Sequence, residues 1–317
     1  MKKMIVLFLL AAMLLTLAGC GGAPAQQTPA VPETTEAPAE EVSAGMDYSA
    51  YANKVNVLCY NIYYQDVEAR QENIQDLILK HDPDVLMLQE VSYDWIPYIK
   101  SFMDENGYSY YGYGRHGGEL LAEDVATGDQ FVPILWKTEK YELVESGHFW
   151  LSSTPDEVKS AAWVDGTISK YPRCVNWVIL KDKATGGSFV TMNIHTDPES
   201  DMVRTNSCKL AVEKLDEIRG DEKLPVVVAG DWNMGLTDTG YSVMTQSGYP
   251  DVRIKAEHTE YGGSFNAWGD RSDDNFAYGD HIFMSENMVA ELYDVVDDYY
   301  DGVHISDHNP LYAVLYY

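Results

Sequence analysis

The sequence predicts an α/β fold in which two mostly antiparallel sheets pack face to face, with helices outside each sheet. The first observation behind this prediction is that short apolar runs alternate along the chain with longer amphipathic segments. The second is that several of these runs carry no polar residue, which is typical of strands buried on both faces. The third is a central block of alternating segments, which favours antiparallel strands.

The first elements of the predicted fold form a strand–helix–strand–helix series. Residues 55–60 are predicted to be a strand, and Asp66 can cap a helix that runs to residue 81, with Pro83 just beyond its end. The apolar run 85–88 is predicted to be a second strand, and a helix follows over 94–106. This series places a helix after each of two buried strands.

The rest of the chain is predicted to contain mainly strands. A helix beginning at Ser200 or Asp201 ends at Arg219, with Gly220 past its end. A shorter helix covers residues 238–246. The predicted strands are 108–113, 132–136, 141–150, 174–181, 189–194, 226–229, 281–284, 288–296 and 311–316.

The first residues of the chain have the pattern of an export signal. Two lysines precede an apolar run over residues 4–15, which is too short for a transmembrane helix of roughly 20 residues. The run closes with Leu17-Ala18-Gly19-Cys20, which resembles a bacterial lipobox. That resemblance implies cleavage before Cys20 and a diacylglycerol on its sulfur; the alternative is an ordinary cysteine at the end of an ordinary signal.

The segment after Cys20 is predicted to be a disordered tether. It is rich in Pro, Ala, Thr, Gln and Glu and has almost no large apolar residue, so it cannot bury enough surface to offset its chain entropy. We therefore divide the chain into a signal peptide over 1–19, a lipidated cysteine and tether over 20–53, and one catalytic domain over 54–317. This organisation predicts a protein anchored in the bacterial cell envelope, outside the cytoplasm.

The composition excludes some classes of function. The formal net charge of −28 repels polyanions, which disfavours tight, sequence-independent binding of nucleic acid. Beyond Cys20 the chain has three cysteines and no Cys-x-x-Cys pair, so neither a disulfide framework nor a zinc ribbon is indicated. We expect a monomer whose contact with the membrane is through its lipid alone.

Polar side chains stand at the ends of several predicted strands. Because chemistry in open α/β sheets collects at such ends, we expect these side chains to converge on one rim. They are Asn61, Glu90, Asn193, His195, Asp231, Asn233, Asp280, Asp307 and His308.

Six motifs at these positions identify a family. In chain order they are Tyr60-Asn61-Ile62, Leu88-Gln89-Glu90-Val91, Asn193-Ile194-His195-Thr196-Asp197, Gly230-Asp231-Trp232-Asn233, Gly279-Asp280-His281-Ile282-Phe283 and Ser306-Asp307-His308-Asn309-Pro310-Leu311. The order and the motifs resemble the DNase I-like endonuclease/exonuclease/phosphatase superfamily. The resemblance implies a four-layer α/β sandwich and metal-dependent hydrolysis of phosphate esters.

The resemblance also implies a set of metal ligands. Glu90 resembles the principal ligand, with Asn61 beside it, and Asp307 resembles a further ligand or a holder of water near the ion. Hard oxygen donors of this kind suit Mg²⁺, with Mn²⁺ as an alternative.

The implied catalytic residues act on the attacking water and on the phosphate. His308 resembles the general base and Asp280 the carboxylate that orients its imidazole. Asp231 resembles the residue that positions the water, and Asn233 an amide that donates to phosphoryl oxygens. His195 resembles the histidine that binds the phosphate or the leaving group.

Further residues are expected to bind the substrate. Arg173 matches an arginine that recurs in bacterial lipoprotein-like members and can clamp a phosphate, although a surface salt bridge is the alternative. Asn193 ends a strand at the same rim. Trp232 and Trp268 stand beside catalytic positions, where a ring can stack on a sugar, a base or a head group. The loop 112–118 resembles a glycine-rich loop on the substrate side of secreted bacterial members.

Three hypotheses for function remain open from the sequence. The first is a phosphoesterase for a small-molecule or lipid-derived phosphate ester. The second is a secreted nuclease, which would need basic residues around the rim. The third is a substrate-binding lipoprotein without catalysis, which would lack a ligand or a base, whereas both Glu90 and His308 are present.

Overall fold

The computed structural model describes residues 46–269, 278–297 and 299–317. The predicted signal peptide, the lipidation site at Cys20 and most of the predicted tether lie outside the described residues. Within these ranges no helix combines the length and the hydropathy needed to cross a bilayer.

The predicted elements occur in the predicted order with shifted ends, and one short helix and five two-residue strands that were not predicted lie between them. Five α-helices are described: α1 (Val67–His81), α2 (Ile96–Asn106), α3 (Asp201–Arg219), α4 (Thr239–Gln246) and α5 (Val252–Lys255). The described strands are β1 (Lys54–Asn61), β2 (Val85–Gln89), β3 (Val91–Ser92), β4 (Tyr108–Tyr111), β5 (Gln130–Phe131), β6 (Ile134–Lys137), β7 (Tyr141–Trp150), β8 (Cys174–Asp182), β9 (Ser188–His195), β10 (Val226–Asp231), β11 (His258–Thr259), β12 (Asp280–Met284), β13 (Val289–Val295), β14 (Tyr299–Tyr300), β15 (Val303–His304) and β16 (Leu311–Tyr316).

Two large sheets form the centre of the fold. The first has the strand order β11-β13-β16-β1-β2-β6-β4 and the second β12-β10-β9-β8-β7. Most neighbouring strands are antiparallel, and the parallel pairs are β1 with β2, β9 with β10, and β11 with β13. The mostly antiparallel pairing was predicted from the alternating segments.

The side-chain alternation of β1 explains why the sheets stack in layers. Val57 and Cys59 point into the core between the two sheets, where they meet residues such as Val227 of β10. Leu58, one residue along, points to the other face and packs in the core that contains Ile74 of α1. From residue 57 to residue 61 the strand is therefore buried on both faces.

Side chains of the second sheet also alternate between two cores. Val227 and Ala229 face the first sheet, whereas Val228 faces α3, where Cys208 and Leu215 complete a third core. The layers are thus helices, sheet, sheet and helices, which confirms the four-layer α/β sandwich.

Two local predictions need correction. Asp66 precedes α1 but has a left-handed backbone, and its side chain makes no capping hydrogen bond. The folded region also begins before the predicted domain start at residue 54. The Tyr48 ring stacks on Tyr316 with 4.6 Å between centroids, and Asn53 N–H donates to the carbonyl of Tyr317. These contacts hold the preceding short segment against the end of the first sheet at which β1 begins and β16 ends.

Candidate active site

Strand register brings three of the predicted side chains into one row. In the second sheet, Asp231 at the end of β10 lies opposite His195 of the parallel strand β9 and opposite Asp280 of the antiparallel strand β12. The close approach of β9 requires Gly230, because a Cβ at that residue would lie 1.8 Å from the carbonyl oxygen of Ile194. The alignment of the three side chains therefore depends on the glycine that precedes Asp231 in β10.

His308 completes this row from the turn before β16. Its Nδ1 lies 2.7 Å from Asp280 Oδ2, and its Nε2 lies 3.8 Å from Asp231 Oδ2. Burial opposes the charged imidazole, but the carboxylates of Asp280 and Asp231 outweigh it and hold the pKa of His308 well above its usual range. The pair has the geometry of a histidine oriented by a carboxylate.

Asp231 is held by several donors at once. Its Oδ2 accepts from Asn61 Nδ2 at 3.0 Å and lies 3.4 Å from His195 Nε2, while Oδ1 accepts the backbone N–H of Asn233 at 2.9 Å. Burial and the charge of Asp280 raise the pKa of Asp231 to about 7. Since water-positioning needs a fixed acceptor, these contacts suit the role predicted for Asp231.

Two further carboxylates, Glu90 and Asp307, lie beside this row. Glu90 follows β2 with a positive φ of 60°, and its Oε2 accepts the backbone N–H of Tyr64 at 3.3 Å. Burial, aided by the charge of Asp307, raises the pKa of Glu90. Burial likewise raises the pKa of Asp307, with the charge of Asp280 adding to it.

These carboxylates fit a divalent cation. Neither Glu90 nor Asp307 has an ion-pair partner within 4 Å among the described residues, although the charge of His308 acts on the pKa of both. Carboxylate oxygens are the donors that Mg²⁺ and Mn²⁺ prefer. Metal-binding spacing is found among the described residues for another group, Asp231, Asp280 and His308, whose ligand atoms lie within 4.8 Å of one another.

Asn61 differs from the predicted metal ligand in its orientation. Its amide nitrogen points at Asp231, and its Oδ1 accepts the backbone N–H of Tyr63 at 3.1 Å. In this orientation Asn61 stabilises the carboxylates as a donor rather than offering an oxygen to a cation. Its role as a ligand stays a prediction.

The side of the site beyond Asp231 carries positive charge. His195 is buried, and burial together with the charge of Arg173 lowers the pKa of its imidazole well below the usual range. Arg173, Arg115 and His195 line one small cavity. Asn233 lies at the edge of the row, where its Nδ2 donates to the carbonyl of Thr196 at 3.3 Å.

Two predicted substrate contacts are wrong. Trp232 is 0% exposed, packs edge-on against Phe283 and donates its Nε1–H to the carbonyl of His281, so its ring cannot reach a substrate. Asn193 is also fully buried. Its amide nitrogen donates to the carbonyls of Leu88 and Pro133, and Gln89 Nε2 donates to its oxygen. Both residues tie strands together below the rim.

Trp268 lies at the surface next to the carboxylates. Its side chain is 44% exposed, and its ring meets Tyr63 edge-on with 5.1 Å between centroids. The preceding backbone N–H groups of Asn266 and Ala267 donate to the carbonyl of Asp307, which holds this segment against the site. Substrate stacking on Trp268 stays a prediction, and residues 270–277 of the acidic loop lie outside the described residues.

Arg115 was not singled out from the sequence. It lies on the glycine-rich loop, where its Nη1 donates to Gln130 Oε1 at 3.1 Å and its Nη2 to the carbonyl of Gly128 at 3.0 Å. The guanidinium also covers the ring of Tyr171 at 5.0 Å. The signal that could have found it was the loop itself, which was recognised as lying on the substrate side.

The family of the chain follows from its match to a family model. Residues 56–308 match the model of the Endonuclease/Exonuclease/phosphatase family, which is most of the described domain. The chain belongs to this family. The resemblance inferred from the six motifs is thereby confirmed, and hydrolysis of phosphate esters fits both the family and the site.

Solved structures of similar proteins agree with this family. An endonuclease/exonuclease/phosphatase family protein from Bacteroides thetaiotaomicron is 27% identical, with a TM-score of 0.72 over 83% of this chain and 97% of that chain. A mannosyl-6-phosphatase of Bacteroides thetaiotaomicron is also 27% identical, with a TM-score of 0.72 over 83% of this chain and 100% of that chain. Among curated proteins, an uncharacterized protein of Acanthamoeba polyphaga mimivirus is 28% identical over 92 residues, which span 28% of this chain and 13% of that protein.

The raised pKa of Asp231 predicts how the stability of this family member depends on pH without metal. A carboxyl whose folded pKa is raised from 3.8 to about 7 binds its proton more tightly when folded, so its contribution to stability is lost as pH rises through that window. We expect the unfolding free energy of the wild type to fall by roughly 2–4 kcal/mol relative to Asp231→Asn between pH 4 and pH 7. Denaturant titrations in a chelator measure this difference; parallel pH profiles of the two proteins would contradict it.

Proposed function

We propose that the protein is an extracytoplasmic, lipid-anchored, metal-dependent phosphoesterase that hydrolyses a small-molecule phosphate ester by attack of an activated water. The observation that carries the proposal is the 2.7 Å contact of His308 Nδ1 with Asp280 beside the two carboxylates Glu90 and Asp307. A base, its orienting group and a candidate cation site thus lie together at one rim.

The proposed chemistry assigns a step to each side chain. His308, once its Nε2 is free of a proton, takes a proton from water, and Asp280 accepts the Nδ1–H and stabilises the imidazolium that forms. Asp231 accepts a hydrogen bond from the same water, which aligns it with the phosphorus. Glu90 and Asp307 would hold a divalent cation, which would supply positive charge to the phosphoryl oxygens.

Three observations support a small-molecule substrate. The relative named as a mannosyl-6-phosphatase shares 27% identity and the full length of its chain with this protein. The net charge of −28 disfavours long polyanions. Exposed rings near the rim, Tyr171 and Trp268, are suited to cover a sugar face.

The proposed location rests on the amino-terminal sequence. A basic start, an apolar run and Leu17-Ala18-Gly19-Cys20 support export and lipidation. The mass of the mature amino terminus distinguishes a diacylated Cys20 from a free one.

A panel of phosphate esters tests the proposed activity. With added Mg²⁺ or Mn²⁺, we expect the purified protein to hydrolyse sugar phosphates faster than sphingomyelin or plasmid DNA, and a chelator to abolish the reaction. Activity is followed by release of phosphate or of the alcohol. Cleavage of plasmid DNA in preference to every small ester would overturn the substrate class, and full activity in the chelator would overturn the metal dependence.

A further inference from the structure

His281 follows Asp280 in β12 but points away from the catalytic row. Side chains alternate along this strand, so Asp280 and Ile282 face the core between the two sheets, whereas His281 and Phe283 face the core beside α3. The imidazole stacks on the ring of Phe283 with 5.4 Å between centroids. Because His281 is 1% exposed, it cannot touch a substrate, and any effect on the reaction has to pass through the residues that it contacts.

The ring of His281 contacts the turn that follows β10. Its Nε2 lies 2.9 Å from the carbonyl oxygen of Met234, and because a carbonyl only accepts hydrogen bonds, Nε2 is the donor. The backbone carbonyl of His281 accepts the Nε1–H of Trp232 at 3.2 Å. These two contacts are made to the residues on either side of Asn233, and both reach the turn from its buried side.

Asn233 is the residue of this turn whose placement needs such support. Its φ of 48° lies in the left-handed region, which residues other than glycine adopt rarely. Its backbone N–H donates to Asp231 Oδ1 at 2.9 Å, and its side-chain amide donates to the carbonyl of Thr196 at 3.3 Å. Since the chain continues directly into Met234, a shift of the Met234 carbonyl would move the Asn233 amide at the rim.

A buried carboxylate holds the His281 ring in its orientation. Asp251 Oδ2 lies 3.6 Å from His281 Nδ1 and accepts the Tyr241 hydroxyl at 2.9 Å, while Oδ1 accepts the backbone N–H of Arg253 at 2.8 Å. Burial raises the pKa of Asp251, but its partners His281 and Arg253 outweigh burial and hold that pKa below its usual value. A charged, firmly held carboxylate thus faces the nitrogen opposite to the one that donates to the turn.

We propose that His281 is a positioning residue that fixes the turn after β10 through its hydrogen bond to Met234. Through that turn it sets the place of the Asn233 amide at the rim. The inference rests on the proposed phosphoesterase function and adds to it a residue that does not touch the substrate. Because negative charge redistributes over the phosphoryl oxygens in the transition state, a misplaced Asn233 amide lowers kcat more than it changes KM.

Two polar substitutions separate the two contacts of the ring. Glutamine carries its amide nitrogen about as far from the backbone as imidazole Nε2, so His281→Gln keeps a donor for Met234. Asparagine reaches only about as far as Nδ1, so His281→Asn keeps a partner for Asp251 and loses the bond to Met234. With 4-nitrophenyl phosphate and Mg²⁺, we expect His281→Asn to lower kcat about ten- to a hundredfold with KM within about twofold. His281→Gln should keep kcat within about threefold.

The control is a buried hydrogen bond of the same core that does not involve the turn. The Tyr249 hydroxyl donates to Asp216 at 2.8 Å, and Tyr249 packs in the core that contains Phe283. Tyr249→Phe should lower thermal stability and keep wild-type kcat, which shows what a purely structural loss looks like. A fall in stability without a fall in kcat in His281→Asn, or an equal kcat in His281→Asn and His281→Gln, would overturn the proposal.

Hydrogen exchange measured by mass spectrometry separates this inference from the proposed activity. A peptide that spans residues 231–236 should exchange its backbone amides at least about fivefold faster in His281→Asn than in wild type, whereas His281→Gln and Tyr249→Phe should match wild type there. If wild type hydrolysed no ester, the proposed function would fail, and unchanged exchange in His281→Asn would still overturn this inference. If His281→Asn does not fold, Asp251→Asn, which removes the charge facing the ring, should give the same faster exchange, and unchanged exchange there would overturn it.

Discussion

Replacing His308 by alanine is expected to lower kcat by about 10²- to 10⁴-fold, the usual contribution of a general base. The Nε2 of His308 is the imidazole nitrogen left after Nδ1 has paired with Asp280, so the variant loses the group that takes the proton from water. KM should change little, because the role proposed for His308 is to activate the water and not to bind the substrate. Steady-state kinetics with saturating Mg²⁺ measure both constants.

The control for this variant is a histidine outside the site. His258 is exposed on β11, and His258→Ala should keep wild-type kcat. Asp280→Asn provides a second test, because removing the carboxylate lowers the pKa of His308 as well as kcat, which moves the acidic limb of the pH profile to lower pH. A His308→Ala enzyme with full kcat, or an Asp280→Asn profile with an unmoved limb, would remove His308 from the role of base.

The sequence predicted the layers of the fold well because apolar periodicity records burial directly. Unbroken runs such as residues 226–229 occur where both faces of a strand are covered, and the structure covers both faces there. The false cap at Asp66 shows the limit of such local signals. An acidic residue before a helix suggests a cap, but Asp66 has a left-handed backbone instead of the extended one typical of capping residues, and its side chain makes no capping hydrogen bond.

The strand-end motifs located the catalytic row, but they did not indicate which of their side chains face the site and which are buried in the core. Asp231 and Trp232 are neighbours in sequence, yet their side chains point to opposite sides, one to the row and one into the core of Phe283. Asn193 likewise precedes His195 by two residues but lies deeper in the sheet, where it links three backbone or side-chain partners. Which face a polar side chain occupies depends on the facing sheet, and that sheet comes from distant sequence.

Arg115 lies beside the site although it does not follow a predicted strand, so the strand-end motifs could not identify it. Its distance in sequence from Arg173 hides their shared cavity, which forms only when the glycine-rich loop folds back over β8. The loop reaches that strand through Asn176, whose Oδ1 accepts the backbone N–H of Tyr113 at 2.9 Å. Tertiary contacts of this kind leave no periodic signal along the chain.

Replacing Glu90 by glutamine is expected to abolish the metal-dependent part of both activity and stability. The change keeps the size of the side chain but removes the charge that, with Asp307, favours a cation. Loss of charge stabilisation worth several kcal/mol predicts a fall in kcat/KM of about a thousandfold. In wild type, Mg²⁺ at a hundred times its Kd should add about 2.7 kcal/mol to the unfolding free energy, and Glu90→Gln should show little of this gain.

Thermal unfolding with and without Mg²⁺ measures this gain in stability directly. The control is Glu105→Gln, which changes an exposed residue of α2 and should retain the whole gain. The same measurement also decides between the two carboxylate groups of the site. If Glu90→Gln kept the whole metal-dependent gain while Asp280→Asn lost it, the cation would belong to the group of Asp231, Asp280 and His308. His308 would then bind the cation and would have no free nitrogen to accept a proton from water. The proposed roles therefore require two results: Glu90→Gln loses the Mg²⁺-dependent gain in stability, and Asp280→Asn retains it.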